Sequence, residues 1–349
     1  VSNSLEKLFI VSHSSLDLVY VLKIYEKYRQ EFDVTIVVSG TRGNVEFFKN
    51  IGIPDKVISY IPLNSRRIYA SNKTAFVREL LHERKRLNLL AGEIRQSRLN
   101  KLYFGSYTYD PQAGYLAKKV SKTNSVTLVD VLGIRPIRLP LKSLLSKAGV
   151  KNLISLNLYR LVFGNLFLLS GFPTNPHIAL DLNKFNIRII SREEVAGIGD
   201  VSSYCITIPE AGKTAIFLYA DRLGVPMDHH ISVNCLVLEC LLRAGFHVYV
   251  KIHPQSQKPG FLKKYPAEYI DKVIPFEFVN LDNVSVVIGL AGASLIGTGD
   301  VPTISFVKLM YDEDSDHYRT AMTQLSQNRA IMFIESASDL GAILGRLGK

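Results

Sequence analysis

Short β-branched runs alternate with helical stretches along this chain, and they do so in two rounds. In the first round KLFIVSHS is a predicted strand and LVYVLKIYEKYRQ carries apolar residues at helical spacing. DVTIVVSG is the next strand, closed by Gly40; after the basic helical stretch FVRELLHERKRLNLLAGEIRQS come the strands KLYFGS and SVTLVDVLG, with a Pro-initiated helix, DPQAGYLAKKVSK, between them. The second round sets the strand TAIFLYA before the helix ISVNCLVLECLLRAG, which ends at Gly245. The strands HVYVKIH, SVVIGL, PTISFVKL and AIMFIES and a last helix, ASDLGAILGRLGK, complete it. Strands alternating with helices imply parallel sheets joined by crossovers. The expected class is therefore α/β, with two Rossmann-like domains whose parallel sheets face a central cleft. A chain of 349 residues that is 47% hydrophobic is long enough for two cores. The polar, Gly- and Ser-containing stretch SREEVAGIGDVSS marks the boundary, giving residues 1–188 and 189–349 as the two domains.

Between the rounds lies LPLKSLLSKAGVKNLISLNLYRLVFGNLFLLSGFP, Leu139 to Pro173, apolar with Lys142, Lys147, Lys151 and Arg160 spaced through it. It is expected to form a packed helical hairpin. The second reading is a helix lying on a membrane surface, held by apolar burial and by attraction of the cations to anionic lipid. No run of about 18 apolar residues predicts a membrane span, and no basic-then-apolar leader opens the sequence. A cytoplasmic protein is expected, with peripheral contact at the inner membrane under the second reading. Three cysteines without metal-ligand spacing argue against a metal site and a disulfide framework and fit a reducing compartment. The formal charge of +11 asks for an anionic partner. No nucleic-acid signature accompanies it, so nucleic acid is not expected to be that partner.

Open parallel sheets take ligands beyond the carboxyl ends of their strands. In the second round those ends offer Tyr219 and Asp221, then His253 in VYVKIHPQSQ, where Lys251 and His253 stand two residues apart and Pro254 forbids further strand. They also offer GLAGASLIGTG, in which Gly289, Gly292 and Ala293 would let backbone amides approach a ligand and Ser294 adds a hydroxyl. An imidazole and a hydroxyl on one sheet edge suit a phosphate, and imidazole titrates near neutrality, where it can give a proton to a departing group. In the first round the ends offer Ser12, His13 and Ser14, then Ser39–Gly40, then Gly105–Ser106 and Asp130. Asp130 follows the apolar run SVTLV, and a carboxylate there is a helix N-cap, an ion-pair partner or a general base; VLGI after it does not resemble a capped helix.

These stretches resemble, in order along nearly the whole chain, the motifs of the bacterial sialyltransferase and capsular polysialyltransferase family. VYVKIHP resembles the family's His-Pro motif, VSVVIGLAGASLIGT its serine motif, the segment ending in VTLVDVLG its acidic motif, and LEKLFIVSHSSLDLVYVLKIYEK its first strand and helix. The resemblance implies a GT-B glycosyltransferase, inverting and metal-independent, that needs no cofactor beyond its donor substrate, CMP-sialic acid or a similar CMP-linked sugar. It implies Asp130 as the general base toward the acceptor hydroxyl, with His253 and Ser294 on the CMP phosphate. Glu277 in PFEF would sit at the ribose. Lys251, Pro254, Tyr219, Gly289, Gly292 and Ala293 would complete the donor site. Two departures stand out: Asp130-Val131-Leu132-Gly133 lacks the second acid, and Gly292-Ala293-Ser294 keeps only the last serine.

The acceptor should then lie against the first domain, where Ser12, Ser14 and Ser106 end strands and where NSRRIYASNK supplies Arg66, Arg67 and Lys73 for an acidic oligosaccharide, polysaccharide or glycolipid. The more basic stretch RELLHERKRLN is expected to be a solvated helix face. Two other readings remain: a GT-B enzyme with another donor, of the CDP-glycerol polymerase or UDP-sugar epimerase kind, and a catalytically silent glycan-binding module.

Overall fold

The computed structural model describes residues 6–12, 17–39, 42–61, 73–96, 101–104, 111–121, 125–130, 158, 161–164, 167–172, 175–180, 188–191, 194–195, 197–221, 224–253, 256–326 and 328–347. The chain divides into two compact units, Val1–Ser203 and Tyr204–Lys349. The division expected at residue 188/189 falls inside a strand of the first sheet, Arg188–Ser191, whose main chain pairs with Val126–Asp130.

In the first unit the strands are β1 (Lys7–Ser12), β2 (Asp33–Ser39), β3 (Ile58–Ile61), β4 (Lys101–Phe104), β5 (Val126–Asp130) and β8 (Arg188–Ser191), with the hairpin β6 (Phe167–Phe172) and β7 (Asn175–Leu180) inserted before β8. The six-stranded sheet has the order β3-β2-β1-β4-β5-β8, and every pair in it is parallel. Helices α1 (Leu18–Tyr28), α2 (Arg42–Asn50), α3 (Lys73–Gln96) and α4 (Pro111–Val120) make the crossovers. α1 buries Leu18, Val21, Leu22 and Tyr25, the i, i+3, i+4, i+7 stripe of a helix that covers a sheet. β1 is buried along Leu8–Ser12, as a strand covered on both faces must be.

β6 and β7 pair antiparallel, from Phe167 opposite Leu180 to Phe172 opposite Asn175. This corrects part of the helical hairpin expected over Leu139–Pro173. A continuous apolar run such as FLLSGF has no period to separate strand from buried helix, and the partner strand that decides it lies beyond the segment. Most of the remainder of that segment lies outside the described residues.

The second unit contains β9 (Ile206–Thr207), β10 (Thr214–Tyr219), α5 (Met227–Arg243), β11 (His247–Ile252), β12 (Glu268–Ile270), β13 (Val279–Asn280), β14 (Val286–Gly289), α6 (Ala293–Ile296), β15 (Thr303–Ser305), α7 (Val307–Met310), α8 (Asp316–Leu325), β16 (Ile331–Phe333) and α9 (Ala337–Leu347). Its sheet runs β12-β11-β10-β14-β15-β16, again all parallel. α5 buries His230, Val233, Asn234, Val237, Leu238 and Leu241 at helical spacing. It ends where Gly245 turns left-handed at φ +80°: the Gly245 N–H donates to Leu242 O and the Phe246 N–H to Leu241 O. These two bonds satisfy carbonyls that a helix end leaves orphaned. α9 packs back on α5. Phe217, Val250 and Ile288, fully buried in adjacent strands, anchor the core, each adding about 1.5–3 kcal/mol over an exposed side chain.

Both sheets therefore follow the doubly wound order, with the crossover direction reversing between the first and fourth strands. In the second unit that reversal lies between β10 and β14.

Candidate functional site

At the carboxyl edge of the second sheet, β10 stands between β11 and β14. His253 follows β11 and Ser294 follows β14 in α6, so both come to this edge, on strands that lie two strand spacings, about 10 Å, apart. The His253 main-chain N–H donates to Tyr219 O at 2.8 Å, which fixes the residue beside the end of β10; its side of the loop is exposed to solvent. Ser294 is half-buried in a helix of a single turn. So short a helix has little macrodipole, and the loop offers local amides and a hydroxyl rather than the helix field its sequence suggests.

The glycines shape this loop. A Cβ on Gly289 would lie 3.0 Å from Leu218 Cβ, so a larger residue here would have to push β14 and β10 apart by a few tenths of an ångström. Gly292 has φ +134°, a backbone that side-chain-bearing residues rarely adopt. The Ser305 hydroxyl donates to Leu290 O at 2.6 Å and ties the loop after β14 to β15.

The loops after β10 and β11 are stapled to each other. Ser256 Oγ donates to Asp221 Oδ1 at 2.8 Å and accepts from the Asp221 N–H at 3.2 Å, while the Gln257 N–H donates to Asp221 Oδ2 at 3.1 Å. Beneath them His230 of α5 reaches the Ala220 carbonyl at 3.0 Å through Nε2. A carbonyl only accepts, so Nε2 carries the proton, and the neutral ring's Nδ1 is left as a buried acceptor with no hydrogen-bond partner. Burial holds the His230 pKa below its ordinary value, against the Ala220 bond and Asp221, which act in the other direction.

Lys251 is 5% exposed and its ammonium donates to the carbonyls of Ile252 at 3.3 Å and Lys272 at 3.2 Å. Burial pulls its pKa down to about 8, against the opposing pull of Asp271 and Glu277. Glu277 lies in a short 3-10 turn, Phe276–Phe278. The protein mass around its carboxyl pushes its pKa up, opposed by its own backbone amide and by Lys251. Since the residue itself meets solvent, this push is worth far less than the one on Lys251. Tyr219 is buried, its ring 5.5 Å from His230 and 5.9 Å from Phe261, and burial raises its hydroxyl to about 12. At this edge Lys251 and Tyr219 therefore support the strand ends from within.

In the first unit Asp130 is the last residue of β5, paired with Ser191. Ser12 ends β1, but its hydroxyl is buried and donates to Asp17 Oδ1 at 2.8 Å. Lys73 is the first residue of α3, and Ala293 the first of α6. Ser14, Arg66, Arg67, Ser106 and Pro254 lie outside the described residues. Ser256, His230 and Ser305 escaped the sequence reading. Ser256 stands three residues after His253 in the same motif and was open to discovery there; the other two meet the edge only through packing.

Among the described residues no three His, Cys, Asp or Glu side chains gather as a metal site would need, and no helix is long and apolar enough to cross a membrane.

No protein-family model matches the chain, and no curated protein sequence matches it. Its architecture is shared with solved structures. UDP-GlcNAc 2-epimerase from Methanocaldococcus jannaschii superposes with a TM-score of 0.52 at 12% identity, over 98% of this chain and 93% of its own. Arabidopsis thaliana UGT89C1, complexed with UDP-L-rhamnose, does so with a TM-score of 0.50 at 10% identity, over 99% and 91%. Two Rossmann-like units in one chain, matched along nearly the full length of such proteins, give this chain the GT-B fold of glycosyltransferases and sugar-nucleotide epimerases.

Proposed function

We propose that this protein is an inverting, metal-independent glycosyltransferase. It moves sialic acid, or a related nonulosonate or Kdo, from a CMP-linked donor to an acidic glycan of the bacterial surface, a capsule or lipooligosaccharide. The observation that carries this reading is the pairing of His253 and Ser294 at the carboxyl edge of the second sheet, on either side of β10 at its point of reversal. Departure of CMP from a sialyl-type donor builds negative charge on phosphate, and donors already aimed at that position lower the barrier. In this reading Ser294 and the amides around Gly292 hold the phosphate while the His253 imidazole neutralises it as it leaves. Asp130 takes the proton of the acceptor hydroxyl. Asp221 and Ser256 hold the loop that carries His253, and Lys251 and Glu277 support the strand ends beneath the nucleotide.

A second reading has its own support. Two of the solved proteins of like fold are named for, or complexed with, UDP-sugars, so the donor would be a UDP-sugar and the reaction transfer or epimerisation. One measurement separates the two. Thermal unfolding is followed with CMP, CDP, UMP and UDP in turn, for the wild type and for Ser294→Ala. The first reading expects the midpoint to rise with CMP and the rise to shrink in the variant. A rise with UDP alone selects the second. No rise with any nucleotide leaves the glycan-binding module.

A further inference from the structure

The first unit holds a cavity of about 340 Å³ that none of this chemistry uses. It lies in the helix layer, lined by Arg84 and Arg95 of α3, Lys118 and Lys119 of α4, and the apolar segment Leu161–Gly164. α3 and α4 run back from the carboxyl edge to the starts of β4 and β5, so Arg95, Lys118 and Lys119, in their last turns, stand toward the amino edge of the sheet. That is the opposite edge from the one where open sheets take substrates.

The walls are built. Tyr115 donates to Asn88 Oδ1 at 2.8 Å and ties α4 to α3. Its ring packs 5.2 Å from Phe163 and carries the Lys119 ammonium 5.3 Å from its centroid. Gly164 turns left-handed at φ +87°, bringing the chain to within 3.6 Å, measured from an added Cβ, of Lys118 Nζ. Leu161 stands 76% exposed at the rim.

The charge is not balanced. Cations at helix C-termini answer the macrodipole, and two such ends supply about one negative charge together. Among the described residues that line the cavity four are cations and none is a carboxylate, which leaves the lining a surplus of about three positive charges over the two helix ends. Among the described residues none of the four makes an ion pair. A solvated helix face spreads its cations apart; here two helices turn theirs onto one concavity.

We propose that this cavity is a second anion site, taking a phosphate carried on a compact, sugar-sized body. The two guanidinium forks suit phosphate geometry, and the volume sits at the small end of ligand pockets, about 300–1,000 Å³. The phosphate can come from a soluble sugar phosphate or from the headgroup of a glycolipid whose apolar part meets Leu161. This proposal does not rest on the donor reading, and its test involves no nucleotide.

Binding of inorganic pyrophosphate is measured by calorimetry, and binding to vesicles of phosphatidylcholine with phosphatidylglycerol by sedimentation. The proteins are wild type, Arg84→Gln/Lys118→Gln, and the control Lys263→Gln/Lys264→Gln, which removes the same charge from an exposed turn of the second unit. Thermal unfolding confirms that the variants are folded, and Arg84→Lys/Lys118→Arg is the charge-conserving partner. Whichever anion binds should bind about tenfold more weakly to the cavity variant and nearly as wild type to the control, with the charge-conserving pair between the two because it keeps the charge and moves the fork. Pyrophosphate binding assigns the site to a soluble phosphate, and vesicle binding alone to a headgroup. No binding of either anion, or equal weakening by both glutamine pairs, overturns the proposal.

Discussion

The two sheets share one strand order and finish their first strands in different ways. In the first unit the closure is buried: the Ser12 hydroxyl turns onto Asp17, and the Ser39 hydroxyl from the adjacent strand donates to Ser12 O at 3.2 Å. In the second unit the bonds tie the loops after two neighbouring strands to each other and to the helix beneath them. Ser256 holds Asp221 thirty-five residues away, and His230 holds the Ala220 carbonyl from inside α5. One topology thus carries a strand end whose polar groups are spent on each other and another whose polar groups brace an exposed histidine. The lesson is that the doubly wound sheet fixes where a site can be, and the loop chemistry decides what it is.

The sharpest way to break this comparison is to remove one polar group from each edge. His253→Ala should lower kcat for transfer by about 10²–10⁴, the usual contribution of a general acid, with little change in the unfolding midpoint. Ser12→Ala should do the reverse. It leaves the buried Asp17 carboxylate without one donor, at a cost of about 1–3 kcal/mol, and kcat measured at a temperature where the variant is folded should stay close to wild type. If Ser12→Ala lowers kcat more than His253→Ala does, the roles given to the two edges are reversed and the assignment fails.

A pH titration of stability tests the brace under β11. Lys251 has its pKa lowered to about 8 from 10.5. Between these values the unfolded chain binds more protons than the folded one, so stability rises with pH across the window and is lost again as pH falls toward 8. The full swing is on the order of 3 kcal/mol. Denaturant midpoints taken from pH 7.5 to 10.5 should therefore climb in the wild type, and that part of the climb should vanish in Lys251→Met. A variant curve parallel to the wild-type curve would mean that the buried ammonium is not the source.

How far the sequence disclosed this follows the range of the interactions. The strands and crossover helices were legible because periodicity, Gly245 and Pro111 are local signals. The carboxyl-edge residues His253, Asp221 and Gly292 were legible because strand ends are local as well. The β6–β7 hairpin was not, since its run looks alike as a strand or a buried helix until a partner is known. Lys251 looked like a ligand-facing cation, and only the fold shows Lys272 presenting a carbonyl to it. Arg84 looked like part of a solvated face, because nothing local says that Lys118, thirty-four residues on, lines the same cavity.

Two glycines, one in each unit, extend the comparison to the backbone. Gly289 sits where an added Cβ meets Leu218 Cβ at 3.0 Å, whereas Gly92 in α3 has nothing within 4 Å of that position. Gly289→Ala should destabilise by about 1–3 kcal/mol as an overpacked contact. Gly92→Ala should stabilise by about 0.4–1 kcal/mol, because alanine removes unfolded-chain freedom at a position already helical. Equal effects of one sign in chemical denaturation would show that the close approach of β14 to β10 is relaxed in solution.

The smallest effect separates the braced edge from ordinary surface charge. Arg243 and Glu239 pair at 3.0 Å one turn apart at the end of α5, with Arg243 78% exposed. Exposed pairs of this spacing contribute about 0.3–0.5 kcal/mol, and Arg243 adds a favourable charge at a helix C-terminus that salt screens. Arg243→Ala should therefore cost no more than about 1 kcal/mol at low ionic strength and less than half of that in 0.5 M salt. Asp221→Ala, read beside it, should keep most of its cost at high salt, since it loses short-range hydrogen bonds from Ser256, which is part-buried, and from the Gln257 amide. If instead the Asp221 variant recovers with salt as the Arg243 variant does, its carboxylate acts as a surface charge and the loop it holds is not braced by it.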